Sequence, residues 1–152
     1  MNIVTQSEIL LIGIEVNAPW QALSSQIPDA WQHLYHQLDH LDPSGDPILV
    51  EASLSCQQGI YRQLVSCQVT SSIPVPEGLT AIRIPPASYL HHTHEGQVSQ
   101  IIETFGDMLQ WAAEEHIPIS DLKLDFGYTQ TKDEQSHELL IALQPPPQWQ
   151  RC

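Results

Sequence analysis

Apolar positions along the first half of the chain follow two periods, which predict strands and a helix in a fixed order. The run EILLIGIEV (residues 8–16) predicts a short buried strand. Apolar side chains then recur at intervals of three and four positions, which is helical spacing, at Ile27, Trp31, Leu34, Leu38 and Leu41. The turn-forming segment DPSGDP follows, and the β-rich runs ILVEASLSC and GIYRQLVSCQV are joined by QQG as a hairpin. This half therefore has the order β-α-β-β.

The second half repeats this order after a proline-rich connector. LTAIRIPPASYLHHTH is extended chain interrupted at Pro85 and Pro86, and residues 97–116 predict a second helix. The apolar stripe of that helix consists of Val98, Ile101, Ile102, Phe105, Met108, Leu109 and Ala112. LKLDFGYTQ and HELLIALQ predict two more strands around the polar turn TKDEQS, and the tail PPPQWQRC cannot continue a strand because proline lacks the ladder donor.

We therefore predict an α+β fold made of two tandem pseudo-twofold β-α-β-β repeats. The repeats cover about residues 8–70 and 78–144 of one domain that spans residues 1–152. Such a pair forms an antiparallel sheet with one main helix per repeat packed on it.

The charge of the chain is strongly negative. There are 18 acidic residues against five Lys and Arg, which gives a formal net charge of −13. Such a chain repels phosphate backbones, so we predict no direct contact with nucleic acid. The charge is compatible with a cationic ligand or partner, and equally with an acidic surface that is simply solvated.

The chain has no segment that resembles a signal peptide or a membrane span. No basic region follows Met1, and the apolar run at residues 9–14 is too short to cross a bilayer. The three cysteines, Cys56, Cys67 and Cys152, show no CxxC spacing, so we predict reduced thiols and a cytoplasmic location.

Two groups of histidines have the composition of metal sites but not the geometry. His91 and His92 are successive strand residues, so they point to opposite faces, and only His92 and His94 can share one. The second group, His33, His36 and His40, lies on the helix face opposite the apolar stripe. We therefore predict no metal and no cofactor.

A resemblance to a known family rests on motifs in the middle of the chain. They are VPEG at residues 75–78, then Ile84, Pro85, Ala87 and Tyr89, and finally His94 and Gly96 before the second helix. In this order they resemble GyrI-like domains, the effector-binding modules of many bacterial multidrug-responsive regulators. The similarity covers roughly residues 8–144.

The resemblance implies a ligand cleft between the two halves for bulky, hydrophobic and often cationic molecules. Since no basic DNA-binding region accompanies the module, we expect a stand-alone protein that senses or sequesters its ligand. The family places a cation-reading glutamate on the closing strand, at the position of Leu140 in this chain. Glu138 lies two residues earlier on the same strand face. Either Glu138 replaces that glutamate, or the charge has been lost.

Aromatic residues and one further acid complete the predicted ligand site. Rings suited to a cation would come from Trp111, Tyr61, Tyr89, Phe126 and Tyr128, although core packing explains each of them as well. Trp111 lies off its helix stripe, where it either lines the cleft or covers a sheet edge. Glu51 alternates with mostly polar residues, which favours a solvent-facing position; if that face borders the cleft, Glu51 complements Glu138.

Two other functions fit the resemblance. One is an inhibitor that binds DNA gyrase through its acidic surface, and a gyrase or regulator partner acting in trans would then be expected. The other is a hydrolase of electrophilic toxins. The sequence contains no G-x-S-x-G motif and no glycine-rich phosphate loop, so we predict a binding protein rather than an enzyme.

Overall fold

The protein contains a single antiparallel sheet with helices on one of its faces. The computed structural model describes residues 1–42, 45–71, 73–130 and 136–152. The strands are β1 (Asn2–Gln6), β2 (Ile9–Pro19), β3 (Ile48–Gln57), β4 (Ile60–Val69), β5 (Thr80–Ile84), β6 (Ala87–Glu95), β7 (Ile119–Tyr128), β8 (Ser136–Leu143) and β9 (Gln150–Arg151). The helices are α1 (Trp20–Tyr35), α2 (Leu38–Leu41) and α3 (Ile101–Glu114), and a 3₁₀ turn, Val98–Gln100, leads into α3.

The order of strands across the sheet is symmetric about its centre. It reads β1-β6-β8-β7-β3-β4-β2-β5-β9, so β7 and β3 are central neighbours. Outward from them lie β8 and β6 on one side, and β4 and β2 on the other. Each half therefore contributes its strands in the same order from the centre, and the predicted α+β fold is confirmed.

The two faces of the sheet are buried in different ways. On one face α1 covers β2 and β4, while α3 covers β6. On the other face Leu11, Val50 and Leu124 belong to one fully buried cluster. No helix of the described residues covers that cluster, so the twisted sheet must curve around it to exclude water. We call these the helix face and the helix-free face.

The first predicted helix is longer than its apolar stripe and is interrupted near its end. α1 begins at Trp20, directly after Pro19, and Pro28 lies inside it. Residues 36–37 separate α1 from the short α2. Four of the five predicted stripe residues are buried, and Ile27 is half-buried, so the predicted core face is confirmed.

The helical stripe of α3 is only partly buried, which the sequence pattern did not predict. Ile101, Met108 and Ala112 pack against the sheet. Val98, Ile102 and Leu109 are 39%, 63% and 40% exposed, because the stripe is wider than the surface that β6 and β8 offer.

The chain termini add strands that the pattern did not predict. β1 pairs with β6 at one edge of the sheet. After its prolines the tail returns to the other edge, where β9 pairs with β5. The predicted turns DPSGDP and TKDEQS lie partly outside the described residues. None of the described helices combines the length and apolar character needed to cross a bilayer.

Candidate ligand-binding site

Two carboxylates lie next to each other at the centre of the helix face. Glu51 on β3 is the direct register partner of Asp125 on β7. Their strand neighbours Val50 and Leu124 point into the helix-free core, so both acids point to the helix face. Because α1 lies over β2 and β4 and α3 lies over β6, the two acids occupy the strip of sheet between the helices.

Glu51 is enclosed by a residue of α1. The indole Nε1 of Trp31 donates a hydrogen bond to Glu51 Oε1 over 3.3 Å. Burial, followed by the charge of Asp125, raises the pKa of Glu51 to about 7, although Trp31 and His137 act in the opposite direction. The sequence favoured a solvent-facing Glu51, but the residue is half-buried, because a helix side chain that strand alternation does not reveal covers part of it.

Asp125 has stronger partners than Glu51. The Tyr128 hydroxyl donates to Oδ2 over 2.9 Å, and His137 Nδ1 lies 2.6 Å from Oδ1. A carboxylate only accepts hydrogen bonds, which assigns the proton to Nδ1. Among the described residues, no basic side chain forms an ion pair with Glu51. Of these two carboxylates, Glu51 is therefore the one whose charge is less compensated.

Aromatic rings form a wall beside this pair of acids. The Trp31 ring centroid lies 5.8 Å from that of Tyr35 and 4.9 Å from that of Tyr128. Tyr128 also meets the His137 ring edge to face at 4.8 Å. Such rings attract cations through their faces and supply contact area for an apolar ligand.

A β-bulge at Gly127 places Tyr128 in the wall. Phe126 pairs with Val50, whereas Tyr128 pairs with Leu49, so Gly127 is an extra residue between them. Gly127 has a φ of 127°, a backbone conformation that residues other than glycine rarely adopt. Without the extra residue Tyr128 would share the helix-free face with Phe126; with it, Tyr128 reaches Asp125.

The structure brings together two of the predicted site residues and places two others elsewhere on the helix face. Glu51 and Tyr128 lie in the cluster described above. Tyr61 lies on β4 with its ring centroid 5.6 Å from that of Trp20, at the start of α1. Trp111 is half-buried against the apolar cluster under α3.

Tyr89, Phe126 and Glu138 point to the helix-free face. Tyr89 is fully buried there, and burial raises its pKa to about 12. The Glu138 side chain is 51% exposed, pairs with His91 and accepts a hydrogen bond from Thr93. Partial burial raises its pKa, but the bonds from His91 and Thr93 outweigh this effect and lower it overall. Glu138 and Glu51 therefore lie on opposite faces of the sheet and cannot complement each other.

Three members of the cluster were not predicted as site residues from the sequence. Trp31 was assigned to core packing, which is correct for its ring but overlooks its indole N–H. Asp125 and His137 were not considered. An acid in the mostly apolar run LKLDFGY was a usable signal, because Asp125 is one of two charges in that run and Glu51 is the only one in its own.

The remaining histidines have structural surroundings. His94 is buried, with Nδ1 2.6 Å from Thr104 Oγ1 and Nε2 2.9 Å from the Gln97 carbonyl oxygen. His33, His36 and His40 are exposed, as predicted. In the described part of the chain no three His, Cys, Asp or Glu side chains are grouped to hold a metal ion.

Comparison with known proteins establishes the family. The profile of integron-associated effector-binding proteins, Cass2, matches residues 2–143. The solved structure of SAV2435 bound to tetraphenylphosphonium has a TM-score of 0.72 and 12% identity, with 95% of this chain and 93% of that chain covered. The integron cassette protein VCH_CASS2 of Vibrio cholerae has a TM-score of 0.69 and 12% identity, with 94% and 95% covered.

The fold also occurs in an enzyme. A hydrolase from Listeria innocua, encoded by lin2189, has a TM-score of 0.58 and 11% identity, with 97% of this chain and 91% of that chain covered. No curated protein sequence matches the chain. At such low identities the solved structures support a shared fold alone. The family is shown by the profile, which covers nearly the whole chain. The resemblance to GyrI-like domains is thus confirmed, and the chain belongs to the Cass2 family of integron-associated effector-binding proteins.

Proposed function

We propose that this protein binds hydrophobic, cationic small molecules at Glu51, between α1 and α3, and acts by sensing or sequestering them. The observation that carries this proposal is a half-buried carboxylate with no ion pair in the described structure, bordered by Trp31 and Tyr128. A buried carboxylate is costly unless it is paired. A cation with aromatic substituents would supply the missing charge and pack against the rings.

The site requires side-chain movement before a ligand can enter. Two cavities of the described structure lie away from Glu51. One, of about 610 Å³, is lined by α2 and residues 73–76; the other, of about 270 Å³, lies beside β6 and α3. Trp31 and Tyr128 fill the space beside Glu51, so a ligand would displace one of these rings. Tetraphenylphosphonium, bound by SAV2435, is a cation of the proposed class.

A matched pair of small molecules tests the proposal. Methyltriphenylphosphonium and triphenylphosphine oxide have nearly the same shape but differ by one positive charge. We expect calorimetric titration to give at least about tenfold tighter binding of the cation, since pairing a buried charge contributes more than about 1.4 kcal/mol. Equal binding of both compounds would leave a hydrophobic site without charge recognition, and no binding of either would reject the proposal.

Cation binding should depend on pH through Glu51. A cation binds the ionised carboxylate, and the pKa of Glu51 is about 7 in the free protein. The ionised fraction rises about tenfold between about pH 6 and pH 8, so affinity for methyltriphenylphosphonium should rise by the same factor. Titration at several pH values checks this result. An affinity that is constant across this range would separate the binding site from Glu51.

A hydrolytic role has weaker support. Asp125 and His137 resemble a carboxylate that orients a catalytic base. However, His137 Nε2 is enclosed by protein and has no hydrogen-bond partner in the described structure, so it does not face a substrate. The gyrase-inhibitor alternative rests on the family resemblance and on the net charge of −13. Binding without bond cleavage is therefore the function that we favour.

A further inference from the structure

A row of polar residues lies next to the Glu51 pair on the same face of the sheet. Gln63, Ser53 and Lys123 are register partners on the adjacent strands β4, β3 and β7. Gln63 Nε2 donates to Ser53 Oγ over 3.2 Å. Ser53 lies two residues from Glu51 on β3, and Lys123 lies two residues from Asp125 on β7. Side chains two positions apart on a strand point to the same face, so all four lie on the helix face.

Lys123 lacks an acceptor suited to its charge. Its Nζ is 3.5 Å from the carbonyl oxygen of Asp121, which is a long hydrogen bond, and within the described ranges it forms no ion pair. Burial lowers its pKa, although Asp121 and Cys56 act in the opposite direction. An ammonium that is half-buried without a close anion is destabilising unless another group supplies one.

Lys123 is also distinct from the arginines of the described structure. Arg62, Arg83 and Arg151 form ion pairs with Glu15 or Glu8. Lys123 instead lies in the strip between α1 and α3, beside the proposed cation site. Lys123 is the diagonal cross-strand neighbour of Glu51, because its register partner Ser53 lies two residues from Glu51 on β3. Such diagonal positions are about 7–8 Å apart, so the ammonium and the Glu51 carboxylate project from neighbouring positions on the same sheet face.

We propose that Lys123, with the Ser53 hydroxyl beside it, binds a carboxylate of the same ligand whose cationic group pairs with Glu51. The inference rests on the proposed function and narrows its ligand class to amphoteric molecules, which carry an amine or iminium cation and a carboxylate on an aromatic body. On a chain with a net charge of −13 a free carboxylate is otherwise repelled, so a dedicated ammonium is needed to accept it.

Rhodamine B and its ethyl ester test this inference, because esterification removes only the carboxylate charge. Fluorescence anisotropy titrations would use the wild-type protein, Lys123→Met, and Arg83→Met as a control that loses the same charge at an exposed site. We expect Lys123→Met to weaken binding of rhodamine B at least about tenfold and to leave binding of the ester within about twofold. Arg83→Met should change neither affinity. Thermal unfolding of each variant verifies that it is folded.

The outcomes separate the two proposals. If Lys123→Met weakens both dyes equally, or neither, the carboxylate subsite is rejected. The proposed function nevertheless stands in that case if the ester still binds and loses affinity in Glu51→Gln. If neither dye binds the wild-type protein, both proposals fail.

Discussion

Replacing Glu51 with glutamine is expected to abolish the preference for a cation. Glutamine keeps the shape of the side chain and can still accept the indole hydrogen bond of Trp31. It cannot supply the negative charge that pairs with a ligand cation, so methyltriphenylphosphonium should bind no more tightly than its neutral analogue. We expect a loss of about tenfold to a hundredfold in affinity for the cation, measured by calorimetry near pH 8.

The same substitution should stabilise the protein at neutral and alkaline pH. The folded pKa of Glu51 is about 7, above the value of 4.5 for the unfolded chain. Between these pH values the folded state retains a proton that the unfolded state releases, so wild-type stability falls as pH rises through this window. The loss reaches about 3 kcal/mol above pH 7. Glu51→Gln lacks this loss, and denaturant unfolding at about pH 4.5 and pH 8 measures the difference.

Glu138→Gln provides a matched control for the effect of Glu51→Gln on cation affinity. It is the same chemical change on the other face of the sheet, in a side chain that is half-exposed and paired with His91. We expect it to leave cation affinity unchanged. If Glu138→Gln removed the cation preference while Glu51→Gln retained it, the cation would bind at Glu138 on the helix-free face, and Glu138 would replace the family's glutamate, one of the two alternatives left open by the sequence. Opposed effects on binding and stability at Glu51 are typical of functional sites that retain a destabilising group.

The fold was predictable because each element carries a clear apolar period. The stripe of Trp31, Leu34 and Leu38 predicts a core helix from spacing alone, and the hairpin follows from two β-rich runs around QQG. β1 and β9 were missed because short edge strands bury little and leave a weak pattern. The extent of burial on α3 was also not predictable, since it depends on the width of the sheet beneath the helix.

The candidate site was less predictable because it depends on the register between strands that are distant in sequence. Glu51 and Asp125 are brought opposite each other by the β3–β7 pairing, which joins the two halves of the chain. No local period encodes that register, and a shift of one residue would turn either acid to the other face. Glu138 looked suitable on its own strand, but the actual register directs it away from the helices.

Gly127→Ala is expected to be strongly destabilising and to disturb the aromatic wall beside Glu51. A Cβ at this position would lie 2.7 Å from the Ser136 carbonyl oxygen and 3.2 Å from His137 atoms. The φ of 127° is also unfavourable for alanine. Strain and overlap together should cost about 2–4 kcal/mol in the free energy of unfolding. The bulge also holds Tyr128 against Asp125, so cation affinity should fall in any fraction that remains folded.

Gly106→Ala is the control for this prediction. Gly106 is exposed on α3, and a Cβ there would meet no atom within 4 Å. Alanine is favoured over glycine in a helix, so this variant should be more stable by about 0.5–1 kcal/mol. Denaturant unfolding of both variants measures the two opposite changes, and calorimetry with methyltriphenylphosphonium reports on the site. If Gly127→Ala matched the wild type in stability and cation affinity, the β-bulge would not be required to position Tyr128, and the aromatic wall would need a different structural basis.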